Sequence, residues 1–185
     1  MAVVSKCAWR TWHETGQEQD GQPGKVLFTD KGSSLLPEII VDADACPVKQ
    51  EVYRVAKRYG LKVTLVANSQ MHIPSEDWLE LVIVNDQFDA ADDWIADHVT
   101  KNDIVISGDI PLASRCLKKG ARALGPKGDV FTQASIGNAL ATRDLMAHLR
   151  DIGMDTGGPT PFEKRDRSRF LQSLDTIVQS IRNGR

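Results

Sequence analysis

An α/β domain, built as a compact three-layer parallel sheet flanked by helices, follows from three features of this 185-residue chain. From position 39 onward, short apolar runs rich in β-branched residues recur. They are continuous rather than alternating, as strands buried on both faces are. Between them lie stretches with apolar residues at helical spacing, and residues that start and stop helices mark the changeovers. Strands alternating with helices indicate parallel pairing through right-handed crossovers.

The first strand is Ile39-Ile40-Val41, ending at Asp42. Pro47 suits the first turn of the following helix, where its missing N–H costs nothing. Val48, Val52, Val55 and Ala56 share one face of that helix, which runs to about Tyr59 and stops at Gly60. A second strand is expected over 61–67 and a third over 81–84. An acidic helix over 88–99 has Asp89 as its N-cap. A fourth strand, 103–107, leads into Gly108-Asp109, and Pro111 opens a helix that closes at Gly120. Ala121 to Leu124 is a short fifth strand before the turn at Gly125-Pro126-Lys127-Gly128. A long helix over 135–150 carries Ile136, Leu140, Leu145 and Leu149.

The ends differ from this core. Residues 1–37 contain two soft polar stretches, with Trp9 and Trp12 the sole large anchors between them, and are expected to form a poorly ordered extension. Residues 153–161 read as a glycine/proline linker. The final segment carries Phe170, Leu171, Leu174, Ile177, Val178 and Ile181 at helical spacing. That stripe predicts a C-terminal helical extension docked on the domain or on a second subunit, hence a monomer or weak homodimer. The expected divisions are therefore 1–37, 38–152 and 153–185.

A hydrophobic fraction of 41% and a charged fraction of 26% describe a globular chain. A net charge of -2 argues against a strongly basic nucleic-acid coat while leaving room for a local basic patch. No apolar run approaches the ~20 residues that cross a bilayer, and Met1 to Cys7 lacks the basic start and apolar core of a signal peptide. Cys7, Cys46 and Cys116 are odd in number and widely spaced, which suggests neither disulfides nor a zinc site. A cytoplasmic protein without membrane contact is expected.

Chemistry is concentrated in the acids. Asp42 and Asp44 follow the first strand, Asp92 and Asp93 lie in the first turns of the acidic helix, and Asp109 follows the fourth strand. A lone Asp after a strand is ordinarily a cap or turn former, and acids near a helix N-terminus are favoured by the macrodipole alone. Asp42, Asp44 and Asp109 together are different, because all three fall at the carboxyl edge of one parallel sheet, where ligands bind. Converging carboxylates repel unless one is protonated or a cation intervenes. Mg²⁺ and Mn²⁺ prefer oxygen ligands and stabilise in-line displacement at phosphorus. Asp42, Asp44, Asp92, Asp93 and Asp109 are therefore the candidate ligands for magnesium or manganese.

A polyanionic substrate also needs cations. Arg115, Lys118, Lys119 and Arg122 cluster after Asp109, while Lys164, Arg165, Arg167 and Arg169 begin the last helix. Such rows also occur as solvated helix faces. Asn68, Ser107, Arg115, Lys118, Lys119 and Arg143 are the candidate nucleic-acid contacts. Arg143 beside Asp144 is equally readable as half of an ion pair. Cys46 sits at a helix start, where a thiolate is favoured, but no His stands near it in sequence, so a packing role is expected. Trp78 and Trp94 read as packing residues.

Five segments together resemble the YaiI/YqxD family of uncharacterised bacterial proteins. They are Asp42-Ala43-Asp44-Ala45-Cys46-Pro47-Val48, Phe88-Asp89-Ala90-Ala91-Asp92-Asp93-Trp94-Ile95, Ile106-Ser107-Gly108-Asp109-Ile110-Pro111-Leu112-Ala113, Ala141-Thr142-Arg143-Asp144-Leu145-Met146 and Gly158-Pro159-Thr160-Pro161-Phe162. The resemblance runs from about Ile39 to Leu174 and leaves residues 1–37 outside. That family is in turn similar to PIN-like domains, which are metal-dependent nucleases on a compact parallel sheet. The resemblance implies RNA as the partner and Asp42, Asp92 and Asp109 as the catalytic residues, since Asp42, Asp92 and Ser107-Gly108-Asp109 match the three acidic positions of the pattern. In one departure, Ile110-Pro111-Leu112 stands where many such nucleases carry a further Asp. Two alternatives follow. Val41-Asp42-Ala43-Asp44 also resembles the start of haloacid-dehalogenase-like phosphatases, in which the first Asp is the nucleophile. That fold, however, expects an acidic pair after the lysine, and Asp92-Asp93 precedes Lys118. The other alternative is a non-catalytic metal- or RNA-binding module.

Overall fold

Ile39, Ile40 and Val41 are all essentially inaccessible to solvent, so the strand they form lies in the middle of a sheet covered on both faces. The computed structural model describes residues 36–44, 46–85, 89–154 and 160–184. The expected N-terminal extension falls outside them except for Leu36 and Pro37, as do residues 155–159 of the expected linker. Among the described residues the strands are β1 (Ile39–Asp42), β2 (Val63–Ala67), β3 (Leu79–Ile83), β4 (Ile104–Ile106), β5 (Arg122–Leu124) and β6 (Val130–Phe131). The helices are α1 (Lys49–Tyr59), α2 (Ala90–His98), α3 (Ile110–Lys118), α4 (Ile136–Asp151) and α5 (Lys164–Arg182). The strand order is β3-β2-β1-β4-β5-β6, parallel throughout except for the β5–β6 pair.

Successive strand residues point to opposite faces, and the core divides accordingly. Ile39, Val41, Ile104 and Ile106 pack with Val52, Val55 and Ala56 of α1 and with Phe170, Leu174 and Val178 of α5. Ile40 and Val105 face the other way, against Ile95 and Ala96 of α2 and Leu112 and Cys116 of α3. The result is three layers, α1 and α5 on one side of the sheet and α2 and α3 on the other. The expected C-terminal helix therefore docks within its own chain. A capping box starts α5, with the Glu163 N–H donating to Asp166 Oδ2 at 2.9 Å. Arg167 then reaches α1, donating to both oxygens of the buried Glu51 at 2.9 and 3.1 Å.

Several boundaries differ from expectation for physical reasons. Strand β3 begins two residues early because Leu79 pairs with Val63 and is buried, while Glu80 is tolerated on an edge strand by an ion pair to Lys62 at 2.7 Å. Asp89 precedes α2 as expected but has φ 62 and makes no side-chain cap. Helix α1 starts at Lys49, two residues past Pro47. Gly60 closes α1 at φ 66, as its position implied. The hairpin to β6 escaped the sequence, since two residues give no periodicity. Gly128 enables it at φ 86, and a Cβ there would lie 2.8 Å from the α5 backbone at Arg169 and Phe170. No helix among the described residues is long and apolar enough to cross a membrane.

Candidate active site

Chain direction decides where a crevice can open. From β1 the chain enters α1 on one face of the sheet, and from β4, its neighbour, it enters α3 on the opposite face. The two exits diverge, which makes the carboxyl ends of β1 and β4 the topological switch point of the sheet. Asp42 is the last residue of β1, and Ser107-Gly108-Asp109 links β4 to α3.

The Ser107 hydroxyl is buried between the two acids. It donates to Asp42 Oδ2 at 2.9 Å and accepts from the Asp109 N–H at 2.9 Å. One oxygen of Asp109, Oδ1, accepts the Leu112 N–H at 2.7 Å and so caps α3, with Pro111 in its first turn. The exposed Asp44 accepts the Asn68 N–H at 2.9 Å, tying the exit of β1 to that of β2.

Electrostatics show which acids meet. Burial raises the Asp42 carboxyl above the ordinary range; the Ser107 hydrogen bond opposes this, and the charges of Asp44 and Asp109 add to it. Asp92, half-buried on α2, is pushed up to about 6, by burial first and then by the charges of Asp109, Asp42 and Asp89. Asp42, Asp92 and Asp109 thus share one field although they come from three separate segments. Among the described residues no ion pair neutralises any of them. The nearby guanidinium of Arg115 lowers Asp92 somewhat, but its ion pair goes to Asp93 at 2.7 Å.

The other candidates divide clearly. Asp93 and Asp97 on α2 meet Arg115 on α3 and Lys119 just past its end, at 2.7 and 4.0 Å, as a surface row of ion pairs. Lys118 is exposed. Asn68 enters through its backbone N–H. Arg143 is on α4, where it meets its neighbour Asp144 at 3.5 Å. Cys46 packs against the core, as expected, and burial pushes its thiol up to about 11. Trp78 packs edge-on against Tyr53, and Trp94 stacks on His98.

The donor set suits a hard cation, since every candidate ligand is oxygen and the cluster carries unrelieved negative charge. Among the described residues no three His, Cys, Asp or Glu side chains are assembled into a complete metal site. Mg²⁺ does not need one, because it commonly takes one or two carboxylates and keeps waters in its remaining positions. Asp42 and Asp109 each have one oxygen committed, to the Ser107 hydroxyl and to the Leu112 N–H, and each keeps the other for an ion.

Ser107 is the positioning group whose role only the fold reveals. In Ser107→Ala, Asp42 loses its hydroxyl donor and its proton affinity rises further. The expected cost is about 1.5 kcal/mol at neutral pH, as for a hydrogen bond to a charged group. Chemical denaturation monitored alongside an NMR titration of the Asp42 carboxyl measures both effects.

Residues 40–180 match the sequence profile of a family described as Uncharacterized BCR, YaiI/YqxD family. The chain is similar to a UPF0178 protein of Rhodospirillum centenum, 53% identical over 152 residues that cover 80% of this chain and 99% of the relative. A UPF0178 protein of Sphingopyxis alaskensis is 54% identical over 149 residues, 80% of this chain and 97% of its own. One from Brucella ovis is 54% identical over 145 residues, 78% of this chain and 90% of its own. No solved structure matches the chain significantly.

Proposed function

The chain belongs to the YaiI/YqxD family of uncharacterised proteins, and we propose that it is a divalent-metal-dependent phosphodiesterase acting on RNA. One observation carries the reading: at the switch point the charge of Asp109 raises the cost of ionising both Asp42 and Asp92, Asp42 adds to that of Asp92, and among the described residues no cationic side chain is paired to any of the three. Such an arrangement is unfavourable for folding and useful for holding magnesium or manganese.

Asp42 and Asp92 would hold the ion, with Asp109 reached through its second oxygen or through water. When bound, the ion would polarise the phosphoryl oxygens and lower the pKa of a bound water. The protein's own contribution is placement. Ser107 fixes the Asp42 carboxylate and the Asp109 backbone at once. The N-cap bond of Asp109 holds that carboxyl against rotation. Burial and its acidic neighbours push the ion-free Asp92 carboxyl up to about 6, so protons compete with the ion for it near working pH.

The test is cleavage of mixed-sequence RNA by the full chain with Mn²⁺, with Mg²⁺ and with chelator. Asp109→Asn is the informative variant, because Asn still caps a helix and the fold is preserved. Ion-dependent cleavage that disappears in Asp109→Asn supports the proposal. RNA binding without cleavage overturns it in favour of a binding module, and a phosphoaspartate trapped on Asp42 overturns it in favour of a phosphatase. At limiting Mn²⁺, ion affinity and with it activity should decline as pH falls through about 6, because protons then compete with the ion for Asp92.

A further inference from the structure

Helix α4 is nearly all surface: of its residues only Ile136 is buried. Between it and the first turn of α3 lies a groove of about 500 Å³ with a largely apolar lining. Ile110, the residue directly after Asp109, forms part of its wall, with Ala139 and Met146 opposite on α4 and Arg143 and Arg150 beside them. We propose that this groove is the subsite for the nucleotide flanking the scissile position, taking one unstacked base and the adjoining phosphates of a single-stranded nucleic acid.

The inference rests on the phosphodiesterase reading and adds the substrate's strandedness and its path. Charge is the first argument. A crevice of unpaired carboxylates repels every phosphate except the one an ion brings in, so neighbouring phosphates must be met by cations nearby. The obvious ones, Arg115 and Lys119, are engaged by Asp93 and Asp97. Arg143 and Arg150 stand two helical turns apart, about 10 Å along α4. Among the described residues Arg150 has no ion pair, and Arg143 has only an exposed contact to its neighbour Asp144 at 3.5 Å.

Shape is the second argument. The groove is open and shallow, so it offers a surface on which a planar group can lie rather than an enclosed pocket. Its apolar lining, with a polarisable thioether in Met146, suits the face of a base. Bases in a duplex have those faces stacked away, so the groove selects unpaired strands. Continuity is the third. Asp109 and Ile110 are consecutive, so the groove begins one residue beyond the carboxylates along α3.

The experiment measures binding of a short fluorescent single-stranded RNA to the full chain in EDTA, where cleavage is silent. Arg143→Ala/Arg150→Ala should weaken binding roughly tenfold, on the order of 1.4 kcal/mol. It should also reduce the salt slope by about 1.4, at about 0.7 per phosphate contact on single strands. Met146→Glu should weaken it as well, and abasic or duplex versions of the RNA should bind less tightly. Circular dichroism of each variant checks that α4 is retained. Binding indifferent to these three arginine and methionine changes, or as tight for the abasic strand, overturns the proposal. So does concentration-dependent dimerisation removed by Met146→Glu, which would assign the face to a second copy. Binding that depends on the groove in a protein that cleaves nothing sinks the phosphodiesterase reading and leaves the subsite standing. Cleavage with groove-independent binding does the reverse.

Discussion

Phe170→Ala is expected to cost about 3–5 kcal/mol of folding stability, the usual range for emptying a core phenylalanine site. Total stability of a domain this size is about 5–15 kcal/mol, so the loss brings it close to unfolding at physiological temperature. Phe170 is fully enclosed, packed with Leu174 and Val178 of α5 against α1 and the central strands. Relaxation into the void is limited because Gly128 already abuts the α5 backbone at Arg169 and Phe170, and Ser173 donates to the Gly128 carbonyl at 2.9 Å. Urea denaturation followed by far-UV circular dichroism should show a lower midpoint with an unchanged slope. A loss below about 1 kcal/mol would mean that α5 unfolds separately from the sheet.

That result bears on how the final helix was readable in the sequence. The stripe from Phe170 to Ile181 announced that a face had to be buried, since helical spacing of apolar residues has one physical meaning. It did not say against what, and the partner is α1, more than a hundred positions away, met by Arg167 on Glu51 and by Arg58 and Tyr59 on Asp175. Long-range pairing leaves no local trace. The strands were readable for the same reason the stripe was, because full burial on both faces demands continuous apolar runs. The exceptions are β3, where an edge tolerates Glu80, and β6, which is too short to show a period. Helix α4 is the instructive failure of pattern. Leu145, expected on its inward face, is 55% exposed, because α4 meets little besides α3.

The candidate site was half readable. That Asp42 and Asp109 lie at the same edge follows from strand direction alone, which is a property of any alternating α/β chain. Which of the paired acids on α2 turns inward does not follow from sequence, since Asp92 and Asp93 differ by one helical step. Packing resolves it: Arg115 on α3 draws Asp93 outward, and Asp92 is left facing Asp42 and Asp109. The Ser107 bridge was equally invisible, because a serine after a strand is ordinarily a turn residue.

Asp42→Asn should separate function from stability by moving them in opposite directions. On the proposed reading, ion-dependent cleavage falls about 10²–10³-fold, as when one electrostatic group of a catalytic centre is removed. Stability at neutral pH should rise. Burial and the charges of Asp44 and Asp109 raise the Asp42 carboxyl above its unfolded value, so the folded state holds that proton more tightly than the unfolded chain. For such a group, stability is fully present below the unfolded pKa near 3.8 and is lost as pH rises through the folded value. Asn lacks the charge, so the variant gains at pH 7.5 and loses that advantage near pH 3. Asp92→Asn should behave alike, with its gain developing between pH 4 and about 6. Thermal melts of wild type and both variants across that range measure the effect, with and without Mn²⁺. The ion should raise the wild-type Tm by preferential binding to the folded state and should do little for either variant. A wild type indifferent to Mn²⁺ and Mg²⁺ would remove the cation from the account, and with it the reason for a crevice that holds three carboxylates at the expense of its own fold.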